Sequence, residues 1–160
     1  MAHPYEEVRV TVDAYVAMRE RIEDGDAMWV DLAVFFTDDV VYIDPAWGRV
    51  EGIDEIRSFM VDSMLGLEDW SFPIEYTAID GDTVVIKWTQ QLPGTRSDGS
   101  RYEQSGYSTL VYAGDGKFSY EEDLLNMTHV LEDLAASHWR PQAGFNAPPA
   151  APDRYFGRPA

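Results

Sequence analysis

The chain has 160 residues, enough for one domain with a sizeable core, and its 45% hydrophobic and 13% aromatic content excludes a disordered chain. Its 29 acidic residues against 12 basic ones give a formal net charge of -17, a field that repels nucleic acid and anionic membrane surfaces without penalising a neutral apolar ligand. There is no cysteine, so disulfides, thiolate metal sites and cysteine nucleophiles are excluded, and a reducing cytoplasm is the expected location.

The segment MAHPYEEVRV has neither a basic start followed by an apolar run nor a small-residue cleavage site. No stretch approaches the roughly 20 apolar residues that span a bilayer, so a soluble protein is expected. Val8, Val12, Tyr15, Met18 and Ile22 recur at spacings of three and four, which predicts an amphipathic helix from Tyr5 to Ile22, ended by Glu23-Asp24-Gly25. A second helix is predicted from Asp26 as N-cap, with Trp29, Leu32, Ala33 and Phe36 on one stripe. Asp38-Asp39 stops it, and the β-branched run Val40 to Ile43 reads as a strand. Alternation puts Tyr42 and Asp44 on one face of that strand and Val41 and Ile43 on the other.

A loop from Pro45 to Glu51 leads to a third helix near Gly52, with Ile53, Ile56, Phe59, Met60 and Met64 inward. From Trp70 the period becomes two: Phe72, Ile74, Tyr76 and Ala78 share a face, and Asp80-Gly81-Asp82 marks a hairpin. Thr83 to Gln91, Tyr102 to Tyr112 and Lys117 to Leu125 are predicted as the next strands. A polar connection from Leu92 to Ser100 and the turn Ala113-Gly114-Asp115-Gly116 separate them. Helices in one block and strands in another argue an α+β fold with a mostly antiparallel meander, curled into a cone over three N-terminal helices. After Asn126, MTHVLEDLAASHW predicts a short helix that closes a domain spanning 1–139. The Pro- and Ala-rich tail 140–160 reads as irregular, with Phe145, Tyr155 and Phe156 able to pin it to its own body or to a second subunit.

The run FFTDDVVYIDPAWG followed by VEGIDEIRSFMVDSM resembles the NTF2-like superfamily, also called the SnoaL-like or ketosteroid isomerase-like fold, and the similarity extends more weakly over about residues 5–135. The resemblance implies a deep pocket between the concave sheet and the helices. It places Asp44 at the position that ketosteroid isomerases use as a proton-shuttling base. Their usual oxyanion donors are missing: the first-helix position aligns with Met18 and the strand position with Ser108, so a standard steroid isomerase is rejected. Tyr15, one turn before Met18, is the substitute donor, or else a core tyrosine with a local partner.

Glu121 and Asp123 alternate onto one face of the last strand, which the resemblance turns inward. Asp123 opposite Asp44 would give an acid and a base; the other reading is that Glu121 and Asp123 bond to nearby backbone or to His129. Epoxide hydrolases of the superfamily place an Arg between two Asp residues; Arg49 and Arg57 read as solvated, and the parity of Lys87 stays open. Tyr42, Met60, Met64, Trp88 and Ser108 are expected as pocket lining, with Ile86, Gln90, Gly106, Leu110 and Tyr112 on the same inward faces, Trp47 as a lid and Asn126 as an orienting amide. His3, His129 and His138 lack metal-ligand spacing, and no glycine-rich phosphate loop opens a helix, so no metal and no cofactor are expected. The expected function is cofactor-independent acid/base chemistry on a small, largely apolar ring compound, of isomerase, lyase or cyclase type. The alternative is a non-catalytic ligand-binding or dimerisation module, with an epoxide hydrolase ranked behind both. A homodimer is expected through outer-face residues such as Tyr107, Thr109 and Val111.

Overall fold

Alternating apolar residues from Val84 to Phe118 build one sheet, and the helices cover the face on which those side chains converge. The computed structural model describes residues 1–158. In chain order it has α1 (Tyr5–Glu23), a 3-10 helix (Trp29–Phe35), β1 (Phe36–Asp44), β2 (Gly48–Glu51), α2 (Ile53–Asp62), β3 (Ile74–Asp80), β4 (Thr83–Thr95), β5 (Arg101–Gly114), β6 (Lys117–Leu125) and α3 (Met127–Ser137). The six strands lie in the order β2-β1-β6-β5-β4-β3, antiparallel at every junction except the parallel β1–β6 pair. Register shifts in β1, β3, β4 and β5 bend the sheet into an open curved trough. Among the described residues, no helix is long and apolar enough to cross a membrane.

Several elements differ from the sequence reading, each for a local reason. The second helix is a seven-residue 3-10 segment; Asp26 does not cap it, and the Asp31 carboxylate instead accepts from the Met28 N–H at 2.8 Å. Phe36 belongs to β1, paired with Phe118, and Asp38-Asp39 lies exposed within the register shift between Phe36 and Val41. The expected loop Pro45–Glu51 folds its second half back as β2, pairing Gly48 with Asp44 and Glu51 with Val41. Helix α2 stops at Asp62, so Met64 lies in the turn after it. β3 begins at Ile74, because Pro73 has no N–H to contribute, and a shift between Ile74 and Tyr76 reverses its parity. Tyr76 and Ala78 are therefore exposed, and Tyr76 faces Lys87 on the outer side.

Besides Thr11, helix α1 buries Val8, Val12, Tyr15, Arg19 and Ile22, while the expected Met18 is only half-buried. These positions follow a 4-3-4-3 repeat, the spacing of a helix lying along one apolar surface. The inner core joins this stripe to Phe36, Tyr42, Ile56, Phe59, Val84, Ile86, Trp88, Leu110 and Phe118. On the outer face a smaller cluster of Val41, Ile43 and Tyr120 packs with Val111. The C-terminal segment docks on its own body. Asp153 O accepts from Arg49 N at 2.8 Å, Phe156 O accepts from the Tyr120 hydroxyl at 3.0 Å, and the Arg49 guanidinium lies over the Tyr155 ring. Gly48, at φ +81, is required there twice, for its left-handed backbone and because a side chain would strike Asp153.

Candidate active site

Between the trough and the helices lies a cavity of about 310 Å³. β1 delivers Tyr42 and Asp44 to its wall, and β6 delivers Asp123. The Pro45 turn brings Trp47, α2 and the turn after it bring Phe59, Met60 and Met64, and β4 brings Trp88 and Gln90. Tyr15 enters from α1. The cavity reaches Asp44 with Trp88, Met60 and Met64 lining it, so those side chains do not fill the space.

Asp44 is held by the turn that follows it. Its Oδ1 accepts from Ala46 N at 2.8 Å and Trp47 N at 2.7 Å, and its other oxygen has no partner among the described residues. An Asx-type turn of this kind fixes the carboxylate while leaving one oxygen directed elsewhere. Burial, reinforced by the charge of Asp123, lifts the Asp44 pKa from 3.8 to about 6 against the pull of those two amides.

Asp123 sits at the head of a polar chain. Trp88 Nε1 donates to Ser108 Oγ at 2.9 Å, Ser108 donates to Asp123 Oδ1 at 2.5 Å, and the Tyr42 hydroxyl donates to Asp123 Oδ2 at 2.6 Å. Glu121, 1% exposed, lies behind the wall, 3.3 Å from both the Tyr15 and Tyr42 hydroxyls. Burial and the neighbouring Asp123 charge raise the Glu121 pKa far above the ordinary carboxyl range. Burial also raises that of Asp123, while the Ser108 and Tyr42 hydroxyls oppose it. Of this pair Glu121 keeps its proton and Asp123 ionises first, because only Asp123 has two short hydroxyl bonds to stabilise its anion.

The seat of Trp88 depends on Gly106. Any Cβ at Gly106 would overlap the Trp88 ring, so the missing side chain lets the indole lie flat and reach Ser108. Gln90 is fixed through Gln104 at 2.8 Å, which donates in turn to Asp133 at 2.7 Å.

The expected site residues thus converge with three qualifications. Ser108 and Glu121 stand behind the cavity wall, supporting Asp123 and the two tyrosines. Asn126 is exposed and outside the cavity lining; its side-chain oxygen accepts from His129 N and caps α3. His129 approaches Asp133 and leaves Asp123 alone. Of the cationic candidates, Arg57 pairs with Asp54 on the surface, Lys87 points to the outer face, and Arg49 anchors the C-terminal segment through the Tyr155 and Gly157 carbonyls.

Among the described residues the cation that does reach the cavity is Arg19, which the apolar pattern of α1 hides because Met18 offers an apolar residue beside it. The signal was its fit to the 4-3-4-3 repeat of α1. Trp29, Trp70 and Phe72 were also unassigned; they form a row of aromatic walls near it, with ring centroids 5.4 Å (Trp29–Phe72) and 6.4 Å (Trp70–Phe72) apart. Phe145, Asn146 and Pro148 of the C-terminal segment complete the rim. Among the described residues, no group of three or more His, Asp or Glu side chains is placed to hold a metal ion.

Comparison with known proteins gives the same frame. The chain superposes on an inferred SnoaL-like polyketide cyclase from Jannaschia sp. CCS1 with a TM-score of 0.64 at 17% identity, over 88% of this chain and 99% of that one. TerC, co-crystallised with polyporic acid, gives 0.59 at 20% identity over 78% and 98%. An LEH-like epoxide hydrolase of M. tuberculosis gives 0.59 at 17% identity over 83% and 92%. At these identities the likeness shows a shared fold. No curated protein matches the sequence. Residues 12–121, more than half of the chain, match the profile of the SnoaL-like domain, and the chain belongs to that NTF2-like family.

Proposed function

We propose that the protein is a cofactor-independent enzyme that moves protons on a small, largely apolar ring compound, in an isomerisation, elimination or ring closure. The observation that carries this reading is Asp44: one oxygen fixed by two backbone amides, the other free, at the wall of an aromatic cavity. A pKa of about 6 leaves it about nine-tenths ionised at pH 7 while its conjugate acid remains strong enough to return the proton. Asp44 removes a proton from carbon beside a carbonyl. Asp123, held by Tyr42 and Ser108, orients the substrate, and Tyr15 donates to the substrate oxygen. Each proton thus has a named group to receive it. The polyketide cyclase resemblance fits the aldol-type end of this range.

The test is hydrogen–deuterium exchange into a panel of bicyclic ketones such as 1-tetralone, followed by mass spectrometry. Wild-type protein accelerates exchange above buffer, and Asp44→Asn abolishes it with an unchanged circular-dichroism spectrum. Ligand binding without exchange by wild-type protein, or undiminished exchange by the variant, replaces the enzyme with a binding module. We also propose a cytoplasmic homodimer, supported by the exposed Tyr76, Tyr107 and Leu124 side chains on the outer sheet face. Analytical ultracentrifugation of Leu124→Glu should show monomer where wild type sediments as a dimer; a monomeric wild type refutes it.

A further inference from the structure

An arginine stands where the repeat of α1 calls for an apolar residue. Arg19 is 5% exposed and lines the cavity, yet it forms no ion pair with any described carboxylate. Its guanidinium makes a single hydrogen bond, from Nη2 to the Phe72 carbonyl at 3.0 Å, and lies 4.9 Å from the centroid of the Trp29 ring. Nε is buried with no partner, and so is the indole Nε1 of Trp70 on the same wall. Five N–H donors on a charged plane are present, and one is used. The carboxyls of Glu121, Asp123 and Glu23 act on its charge only from beyond ion-pair distance, so this buried cation has few direct acceptors, a costly arrangement. Helix α1 supplies a further donor one turn earlier, because the Tyr15 hydroxyl is held by Glu121 only at 3.3 and 3.4 Å.

We propose that Arg19, flanked by Tyr15 and Trp70, is an anion-binding subsite that takes the ionised oxygen of an acidic ring compound, a carboxylate or acidic enol attached to a flat aromatic or polycyclic body. The inference rests on the acid/base reading of the cavity and names its substrate class. The aromatic row Trp29, Phe72 and Trp70 supplies a surface for the ring, and the guanidinium plane matches two oxygens of a carboxylate. A ligand anchored there extends across the cavity toward Asp44. The subsite also provides the oxyanion donors that Met18 and Ser108 do not. Of the overall charge of -17, surface carboxylates beyond about 8 Å are screened at physiological salt, whereas Asp44 and Asp123 share the cavity and are not, so the anionic end of the ligand is held at Arg19 and its uncharged body faces Asp44.

The experiment measures binding of 2-naphthoate and its neutral isostere 2-naphthamide by tryptophan fluorescence and calorimetry at pH 6. Wild-type protein is expected to bind the naphthoate at least tenfold more tightly than the amide. Arg19→Gln should abolish that preference while holding amide affinity within about twofold, and Arg19→Lys should retain part of it. Loss of the fold in Arg19→Gln would show as a lost amide affinity, and Arg19→Lys then carries the test, its weakened preference supporting the subsite and an unchanged one refuting it. Equal affinity for the two probes in wild-type protein, binding of neither, or a preference surviving in Arg19→Gln overturns the subsite. Asp44→Asn should keep the preference, so failure of the catalytic reading leaves this result legible, and the converse also holds.

Discussion

Replacing Asp44 by Asn should abolish the exchange activity proposed for the cavity and increase the stability of the protein, and the two effects share one cause. The folded environment lifts the carboxyl from 3.8 to about 6 by withdrawing it from water beside Asp123. A folded-state pKa above the unfolded one means that the neutral acid favours folding. That contribution is full below pH 3.8 and is lost as pH rises through about 6. At about 1.4 kcal/mol per tenfold in acidity the difference amounts to roughly 2–3 kcal/mol, the lower figure allowing for the part of the carboxylate that solvent reaches. Asn never ionises, and its amide oxygen still accepts from the Ala46 and Trp47 amides, so it escapes that cost. Urea denaturation of both proteins at pH 4 and pH 8 measures it. The gap in unfolding free energy should move by about 2–3 kcal/mol in favour of Asp44→Asn between the two pH values, with the exchange activity of the wild type rising through a limb near pH 6. A pH-independent gap, or a limb near 4, would show that Asp44 is solvated and would refute its role as a tuned base.

Three further perturbations probe the support around that base. Tyr42→Phe removes the 2.6 Å donor to Asp123 and should lower stability by about 1–3 kcal/mol, because a buried carboxyl oxygen loses its hydroxyl partner; urea denaturation reads it, and an unchanged unfolding free energy would show that the bond contributes nothing net. Gly106→Ala should push the Trp88 ring off its seat and break its bond to Ser108, seen as a shift in tryptophan emission and a loss of about 1–3 kcal/mol; an unchanged emission spectrum counts against that packing. Truncation after Trp139 removes Phe145, Asn146 and Pro148 from the rim and uncovers Tyr120, so 2-naphthamide should dissociate faster and a hydrophobic dye should bind; equal dissociation rates would show that the segment does not gate the cavity.

The fold was readable where two independent signals coincided. β6 runs from Lys117 to Leu125 as expected, because a glycine-rich turn precedes it; Glu121 and Asp123 share a face, but the alternation breaks before them, where Ser119 is the extra residue between the Tyr112–Phe118 and Val111–Tyr120 pairs. β1 to Asp44 and the opposing faces of Tyr42 and Ile43 follow from β-branching and parity alone. Parity fails where the backbone inserts a residue. Nothing in Ile74-Glu75-Tyr76 announces the register shift that turns Tyr76 outward, since that shift is set by pairing with Lys87 and Trp88 on another strand. The return of Gly48 to Glu51 as β2 is likewise a pairing event, too short to carry a pattern of its own.

The site divides along a different line. Glu121 and Asp123 stand out in the sequence as acidic residues on one face of an apolar strand, and Asp44 through its place in the Asp-Pro run; the rival reading of the pair, a bond to His129, does not hold because His129 approaches Asp133. Arg19 was hidden by a rule that ranks apolar residues first, even though Val8, Val12, Tyr15 and Ile22 fix its place to the residue. Asn126 shows the opposite case: an amide just past a strand looks free to meet a ligand, but the helix that follows leaves unsatisfied N–H groups and takes it as a cap. Both cases have one physical root. A polar side chain goes to the strongest unmet demand near it. For Asn126 that demand is the start of α3 and can be seen locally, whereas Arg19 has no such demand within its own helix. Its acceptors must come from across the fold or from a ligand, and the fold supplies only the Phe72 carbonyl.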